Sequence, residues 1–531
     1  MKNYDVLVVG AGMAGIYSVY RMKENGLAVH AIEAGGGVGG TWFWNTYPGA
    51  RCDVESLDYS FSFSEELQSE TRWSERFAAQ PEILQYLNNV VDRFGLRENI
   101  TCNARANVVR YDQSTRRWTV ETDGATYSAK YLIMATGLLS VPVEPSIPGL
   151  DAFGGEIYST GRWPASGVDL KDKRIALFGN GSSGVQVLPT VAKEAESVTL
   201  FQRTAGYAIP MRNDLMTDAE FEEAVAAYSE RRKRTKESAM GTYWSAYHTS
   251  DESLFGASEE ERRRVFEKFW DMGGPGFVVA FADILLDMDA NKLASDFVRD
   301  KIRELVRDPE TAEKLVPAAD EPIGCKRLCV ENGYFEAFNR PNVSVVDLRA
   351  EPIGSFGERA IHTADNSHDI DVVILATGFD AFTGSMLRMD VQGRGIALRD
   401  KWDEGPSNYL GMLMAGFPNM FTVNGPGTVA ANFFLATEVQ VDWIGRLIGE
   451  AEKRGASAIE TDVQGEREWR ELLDSVAEMV TVTNHCETWF RGTNVAGKPK
   501  VVMNYLGGLG GYSEYCDGVE LEGYRHLRFQ D

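Results

Sequence analysis

The apolar run VLVV at 6–9 stops abruptly at a cluster of glycines, and the same succession of apolar and glycine positions returns once further along the chain. In DVLVVGAGMAGIYSVYRMKENGLAVHAIEAG it predicts a strand, a tight turn at Gly10, Gly12 and Gly15, a helix, and a second strand ending at Glu33. Gly10 allows the turn, Gly12 lets the backbone approach a pyrophosphate, and Gly15 lets helix and strand pack closely. The helix N-terminus then offers unpaired N–H groups and the positive end of its dipole to phosphates. A carboxylate at the end of the second strand, Glu33, can accept hydrogen bonds from a ribose hydroxyl.

The second copy, KRIALFGNGSSGVQVLPTVAKEAESVTLFQRT, places Gly179, Gly181 and Gly184 after another apolar strand, with Ser182 among them. Its second strand ends at Arg203 and Thr204, with no acid. An arginine there repels nothing and can pair a 2′-phosphate, which favours NADP over NAD. The first unit therefore reads as an FAD site and the second as an NADPH site, since a flavin cannot turn over without an electron donor.

Two further apolar strands, KYLIMATGLL and DVVILATGFD, end in the same Ala-Thr-Gly at 135–137 and 376–378, where the chain is expected to cross between domains. The expected fold class is α/β, with two Rossmann-like dinucleotide-binding domains. The FAD domain takes 1–139 and 380–531, the NADP domain 140–212 and 325–379, and a charged helical insert 213–324 interrupts the latter.

Composition narrows the partners. At 531 residues, 44% hydrophobic and 25% charged, the chain is a multidomain globular protein. A formal charge of −24 opposes nucleic acid and anionic membranes. The one basic run, RRKRTK at 231–236, follows an acidic stretch on the same helical segment and is expected to be a solvated face. Six scattered cysteines suggest reduced thiols in a cytosolic protein. The pair in CKRLC, Cys325 and Cys329, has neither zinc nor redox-motif spacing, so no metal site is expected. The N-terminus enters a strand directly, so no signal peptide is expected, and the apolar FVVAFADILL is too short to span a bilayer.

A flavin beside a nicotinamide permits several chemistries. A disulfide reductase needs two cysteines soon after the first unit, whereas GGTWFWNTYPGARCD at 39–53 holds only Cys52. That stretch resembles the GGxWxxxxYPGxxxD motif of type I Baeyer–Villiger monooxygenases at Gly39, Gly40, Trp42, Tyr47, Pro48, Gly49 and Asp53. FGGEIYSTGRWP at 153–164 resembles their FxGxxxHxxxWP signature at Phe153, Gly155, Trp163 and Pro164, with Ser159 where the family has histidine. The likeness continues through FQRT, CKR and TWFRGTNVAGK, covers nearly the whole chain, and is greatest to the cyclohexanone and phenylacetone monooxygenase branch.

This resemblance implies oxygenation of a ketone to an ester or lactone, with NADPH reducing FAD, O2 adding at the flavin C4a, and the peroxyflavin attacking the carbonyl. It implies Arg327 as the cation beside that anion and Asp53 as the acid that pairs and orients it. Arginine suits the task because it stays protonated. Lys326 matches a contact of the NADP phosphate, together with Arg203 and Thr204. Trp489 matches an aromatic that moves over nicotinamide and substrate, and Thr41, Trp42 and Asp53 count among the cofactor contacts.

In the family the missing histidine lies on the linker between domains and is implicated in repositioning NADP. Serine substitutes one short hydroxyl for two ring nitrogens, so Ser159 bears on coupling rather than on the reaction class. Two other readings stay open: a flavin-dependent N- or S-hydroxylating monooxygenase, which leaves Arg327 without a clear task, and a catalytically inactive flavoprotein binding module, against which both intact glycine sets speak. The apolar, small-residue stretch 412–434 is expected to line a pocket for cyclic or aryl ketones. The implied partners are a small-molecule ketone and O2, with no nucleic acid and no membrane, for a cytoplasmic monomer or weak homo-oligomer.

Overall fold

Two sheets, a mixed one and a parallel one, each built around the strand that leads into a glycine turn, organise the computed structural model, which describes residues 1–531. In the first, strand Lys2–Val9 lies between Val29–Ile32 and Thr126–Met134, parallel to both. Val6, Leu7 and Val8 are fully buried, because a strand covered on both faces needs apolar residues at successive positions rather than alternate ones. Strand Arg117–Thr122 pairs antiparallel with the first half of Thr126–Met134, and the short strand Met420–Thr422 takes over along its second half. Strand Asp390–Gln392 adds to the far edge. The chain after residue 380 thus returns to the sheet that it began.

The second sheet is wholly parallel, in the order Val343–Asp347, Ser197–Gln202, Arg174–Phe178, Val372–Leu375 and Glu156–Ser159. The two segments that join the sheets run against each other: Asp380 N–H donates to the Val141 carbonyl and Val143 N–H to that of Gly378, both at 2.9 Å or less. Ser159 ends the edge strand of this second sheet, level with Leu375, and its hydroxyl makes no hydrogen bond within the chain.

Between Met211 and Leu328 every regular element is helical. Helices Asp218–Glu237, Glu259–Met272 and Met288–Leu305 begin at Thr217, Ser258 and Asp287, whose side chains accept first-turn N–H groups. Thr217 and Glu220 complete a capping box. The insert leaves and returns at one place, because Ala208–Pro210 pairs in parallel with Cys329–Glu331. That pairing sets Arg327 two residues before a fixed strand.

Two expectations need correction. The basic run is not a solvated face. Within the run, on helix Asp218–Glu237, only Lys233 and Arg234 are exposed, while Arg231 and Arg232 turn inward. Arg231 donates to Asp58 Oδ1 at 2.7 Å and pairs with Glu55 at 3.1 Å, and Arg232 donates to the Asp58 carbonyl at 3.0 Å. Burial works against the Arg231 charge, but the attraction of fully buried Asp58 and of Glu55 outweighs it and keeps the guanidinium protonated. The cause is helical period: Tyr228, Arg231, Arg232 and Thr235 share the face that docks on residues 55–60. The cysteines are likewise not all free thiols. Cys325 and Cys486 form a disulfide across 161 residues, with Cα atoms 6.2 Å apart, and Cys52, Cys102, Cys329 and Cys516 remain free. Spacing along the chain carries no information on such a pairing.

Candidate active site

The two glycine turns have one geometry. Gly10 and Gly179 take φ of +108° and +103°, and a Cβ on either would lie 2.3 Å from a carbonyl oxygen, of Ala135 and Ala376 respectively. These alanines belong to the two Ala-Thr-Gly segments. A Cβ on Gly15 or Gly184 would meet the carbonyl of Gly10 or Gly179 at 1.9 and 2.0 Å. Side chains are therefore excluded at both turns.

Helices Met13–Glu24 and Ser182–Val191 start directly after Gly12 and Gly181, with no capping side chain and no acid in the first turn. Their first N–H groups are open to an anion. Gly40 closes over the first turn, where its Cβ would lie 2.8 Å from Gly12 Cα, whereas the space beside Gly181 is open. Glu33 is buried and accepts the N–H groups of Ala11 and Gly35, each at 2.7 Å. A carboxylate has about four lone-pair sites, so capacity remains for ribose hydroxyls. These residues fit FAD. Arg203 is exposed just past strand Ser197–Gln202 and makes no ion pair, while the Thr204 carbonyl accepts Asn180 Nδ2 at 2.8 Å. That strand end fits a 2′-phosphate.

Between the turns lies the loop that opens with Thr41. Buried Trp42 donates from Nε1 to the Tyr59 hydroxyl at 3.2 Å. Tyr47 donates to Gln186 Oε1 at 2.8 Å, and Gln186 Nε2 donates back to the Arg51 carbonyl at 3.1 Å. Gly49 packs so tightly on this helix that its Cβ would lie 2.4 Å from the Gln186 carbonyl. The YPG segment thus fastens the first domain's loop to the helix that starts the second glycine turn.

Asp53 follows, and Arg327 meets it with both arms of its fork: Nε to Oδ2 at 2.8 Å and Nη2 to Oδ1 at 2.5 Å. Attraction by Asp53 raises the guanidinium pKa further above its ordinary value, against the opposing effect of desolvation. Arg327 is ringed by protein yet 42% of its side chain remains accessible, so it faces an open cleft and solvent screens part of that attraction. Burial pushes the Cys52 thiol and the Tyr59 phenol well up, so both stay neutral beside the pair. Ser182 Oγ lies 3.6 Å from Cys329 Sγ on the strand just after Arg327. Lys326 is exposed and paired with Glu321.

Asp53, Arg327, Trp42 and Ser182 are thus drawn into one neighbourhood. Trp489 is tied to it differently. Half-buried, it stacks on Phe382 with centroids 5.4 Å apart, and it follows Cys486, the disulfide partner of Cys325. Tyr59, Gln186, Phe434 and Cys486 were not singled out in the sequence. Phe434 packs edge-on against Tyr59 at 4.7 Å and ends the apolar stretch expected to line the pocket. No local motif marks these four; they matter through contacts between segments far apart.

Residues 7–235 match the family of pyridine nucleotide-disulphide oxidoreductases. The chain is 40% identical over 531 residues to a Baeyer–Villiger monooxygenase of Pseudooceanicola batsensis, spanning 99% of this chain and 96% of the relative. A phenazine N-monooxygenase of Lysobacter antibioticus is 40% identical over 517 residues, spanning 96% and 94%. The structure of an oxidised steroid monooxygenase bound to NADP matches with a TM-score of 0.95 at 45% identity, covering 100% of both chains.

Proposed function

The chain belongs to the Baeyer–Villiger monooxygenases, and from that premise we propose how its residues divide the work. It is an FAD- and NADPH-dependent enzyme that inserts one oxygen atom of O2 beside a ketone carbonyl to give an ester or lactone. FAD, when bound, supplies the acceptance of hydride and the activation of oxygen. The chain supplies binding, orientation and a fixed charge.

Gly10, Gly12, Gly15, Glu33, Thr41 and Trp42 hold FAD. Gly179, Gly181, Ser182, Gly184, Arg203, Thr204 and Lys326 hold NADPH, and Trp489 covers the nicotinamide. Arg327 places a permanent positive charge where negative charge develops during oxygen transfer, and Asp53 fixes its orientation. The bidentate Asp53–Arg327 pair, set between both glycine turns, is the observation that carries this assignment. An arginine cannot give its proton away to a nearby anion at neutral pH, so the charge persists through the cycle.

The division into an FAD domain (1–139 and 380–531), an NADP domain (140–212 and 325–379) and a helical insert (213–324) is supported by the return of strands Asp390–Gln392 and Met420–Thr422 to the first sheet. The substrate class is a cyclic or aryl ketone, to which the ketone-acting relatives, a cyclohexanone 1,2-monooxygenase among them, point. No helix is long and apolar enough to cross a membrane. A cytoplasmic monomer or weak homo-oligomer completes the proposal.

The test mixes FAD-loaded protein with NADPH in air and with cyclohexanone, phenylacetone or phenazine. A ketone product heavier by one oxygen atom, with its carbonyl turned into an ester, is expected. An N-oxide of phenazine with both ketones untouched would replace this reading with N-oxygenation.

A further inference from the structure

The disulfide joins two segments that the proposed chemistry uses. Cys325 is fully buried and directly precedes Lys326 and Arg327, whereas Cys486 is half-buried and lies three residues before Trp489. The segment carrying Cys486 has little regular structure, only the single turns Thr481–Asn484 and Trp489–Arg491. Several of its other ties run to the crossing between the sheets. Trp489 stacks on Phe382, Asn494 Nδ2 donates to the Phe379 carbonyl at 2.9 Å, and Lys498 Nζ donates to that of Ala381 at 3.1 Å. One end of the segment thus rests on the interdomain crossing, and the disulfide fastens the other to the strip bearing the cation.

We infer that Cys325 and Cys486 are positioning residues: their disulfide holds the Trp489 segment against the Lys326–Arg327 strip in the arrangement that binds NADPH, and a dithiol opens it. This rests on reading that strip as part of the NADPH site. A loose segment occupies its binding arrangement only part of the time, and apparent affinity falls by that fraction. A covalent link removes the loss. Reduction proceeds by exchange. A thiolate of the dithiol attacks the accessible Cys486 sulfur, the bond to Cys325 breaks, and Cys325 leaves as a thiolate that takes up a proton. The second thiol of the dithiol then displaces Cys486. Two electrons and two protons pass to the cysteine pair, and the dithiol becomes a disulfide.

The experiment compares FAD-loaded enzyme prepared without reductant, the same enzyme after dithiothreitol, and Cys486→Ser. Thiols are counted by alkylation and mass under denaturing conditions, trypsin cleavage after Arg491 and Lys500 is timed, and KM for NADPH and kcat are measured separately. The untreated enzyme is expected to show four free thiols, from Cys52, Cys102, Cys329 and Cys516. Reduction should expose the remaining pair, speed cleavage, and raise KM for NADPH about fivefold while kcat changes much less. Cys486→Ser should behave as the reduced enzyme without reductant. All six cysteines free before reduction, or complete reduction with unchanged cleavage and KM, would overturn the inference. An enzyme that oxygenates no ketone in either state would instead fault the functional reading, and the thiol count and cleavage rate would still decide the tether.

Discussion

Asp53 accepts both hydrogen bonds of the Arg327 fork across 274 residues of chain, and no other carboxylate pairs with that guanidinium. A bidentate pair fixes the plane of the guanidinium as well as its place, which a lysine ammonium cannot reproduce. Arg327→Lys is therefore expected to lower ketone oxygenation by roughly 3 kcal/mol, a hundredfold or more. Flavin reduction by NADPH, followed by stopped-flow absorbance, should fall far less. Equal losses in both steps would show that Arg327 serves the binding of NADPH instead.

Ser159 ends an edge strand beside the interdomain crossing and leaves its hydroxyl unbonded. Ser159→His adds a longer side chain with two ring nitrogens at that junction. The expected result is less hydrogen peroxide per NADPH consumed and the same ester product. Peroxide yield that does not drop would remove Ser159 from any account of coupling.

Arg203 stands exposed and without an ion pair at the end of its strand. If it holds the 2′-phosphate, Arg203→Gln should raise KM for NADPH about tenfold or more and leave KM for NADH nearly unchanged, as a charge-assisted bond is worth about 1.5–3 kcal/mol. Parallel loss with both nucleotides would point to a folding defect.

Asp58 is fully buried and takes Arg231 Nε at 2.7 Å and the Tyr243 N–H at 2.6 Å. Removing Asp58 leaves only Glu55 to offset the buried Arg231 charge, at a cost of about 3 kcal/mol. Asp58→Ala should thus lower the thermal midpoint by several degrees, measured on FAD-free protein, while Asp58→Ala with Arg231→Met should recover much of it. A double variant as unstable as the single would show that the aspartate acts through Tyr243 alone.

Glu331 sits on the strand after Arg327, and burial, its largest influence, raises its pKa to about 7 from an ordinary 4.5. Between these values the unfolded chain has released this proton and the folded chain has not. Its contribution to stability is therefore full below about 4.5 and is lost as pH rises through about 7, where the folded carboxyl ionises. Glu331→Gln should flatten that part of the stability profile and make the protein more stable than the parent at pH 8, read by denaturant midpoints. A profile that keeps its slope would assign it to another group.

Much of the fold was legible because dinucleotide turns are local. Gly10 and Gly15 lie five residues apart: the Gly10 carbonyl that excludes a Cβ at Gly15 belongs to the same strand, turn and helix, and the positive φ of Gly10 itself calls for glycine. The same reason made Gly179 and Gly184 legible. Reading RRKRTK as solvated failed because charge alone does not say which helix face docks; Asp58 and Glu55, far upstream, decided that Arg231 and Arg232 turn inward.

By itself, then, the sequence determined two nucleotide-binding turns, the strands that feed them, the helical character of the insert, and the motif that identifies the family. Each follows from residues close enough in the chain for backbone geometry to couple them. The Asp53–Arg327 pair was implied by the family resemblance, but only the tertiary structure decided its two-armed geometry, that Tyr47 and Gly49 fasten the loop to Gln186, and that Cys325 finds Cys486. These contacts form where separate domains close on one another. Their geometry is set by the packing of whole sheets and helices, which no stretch of sequence specifies alone.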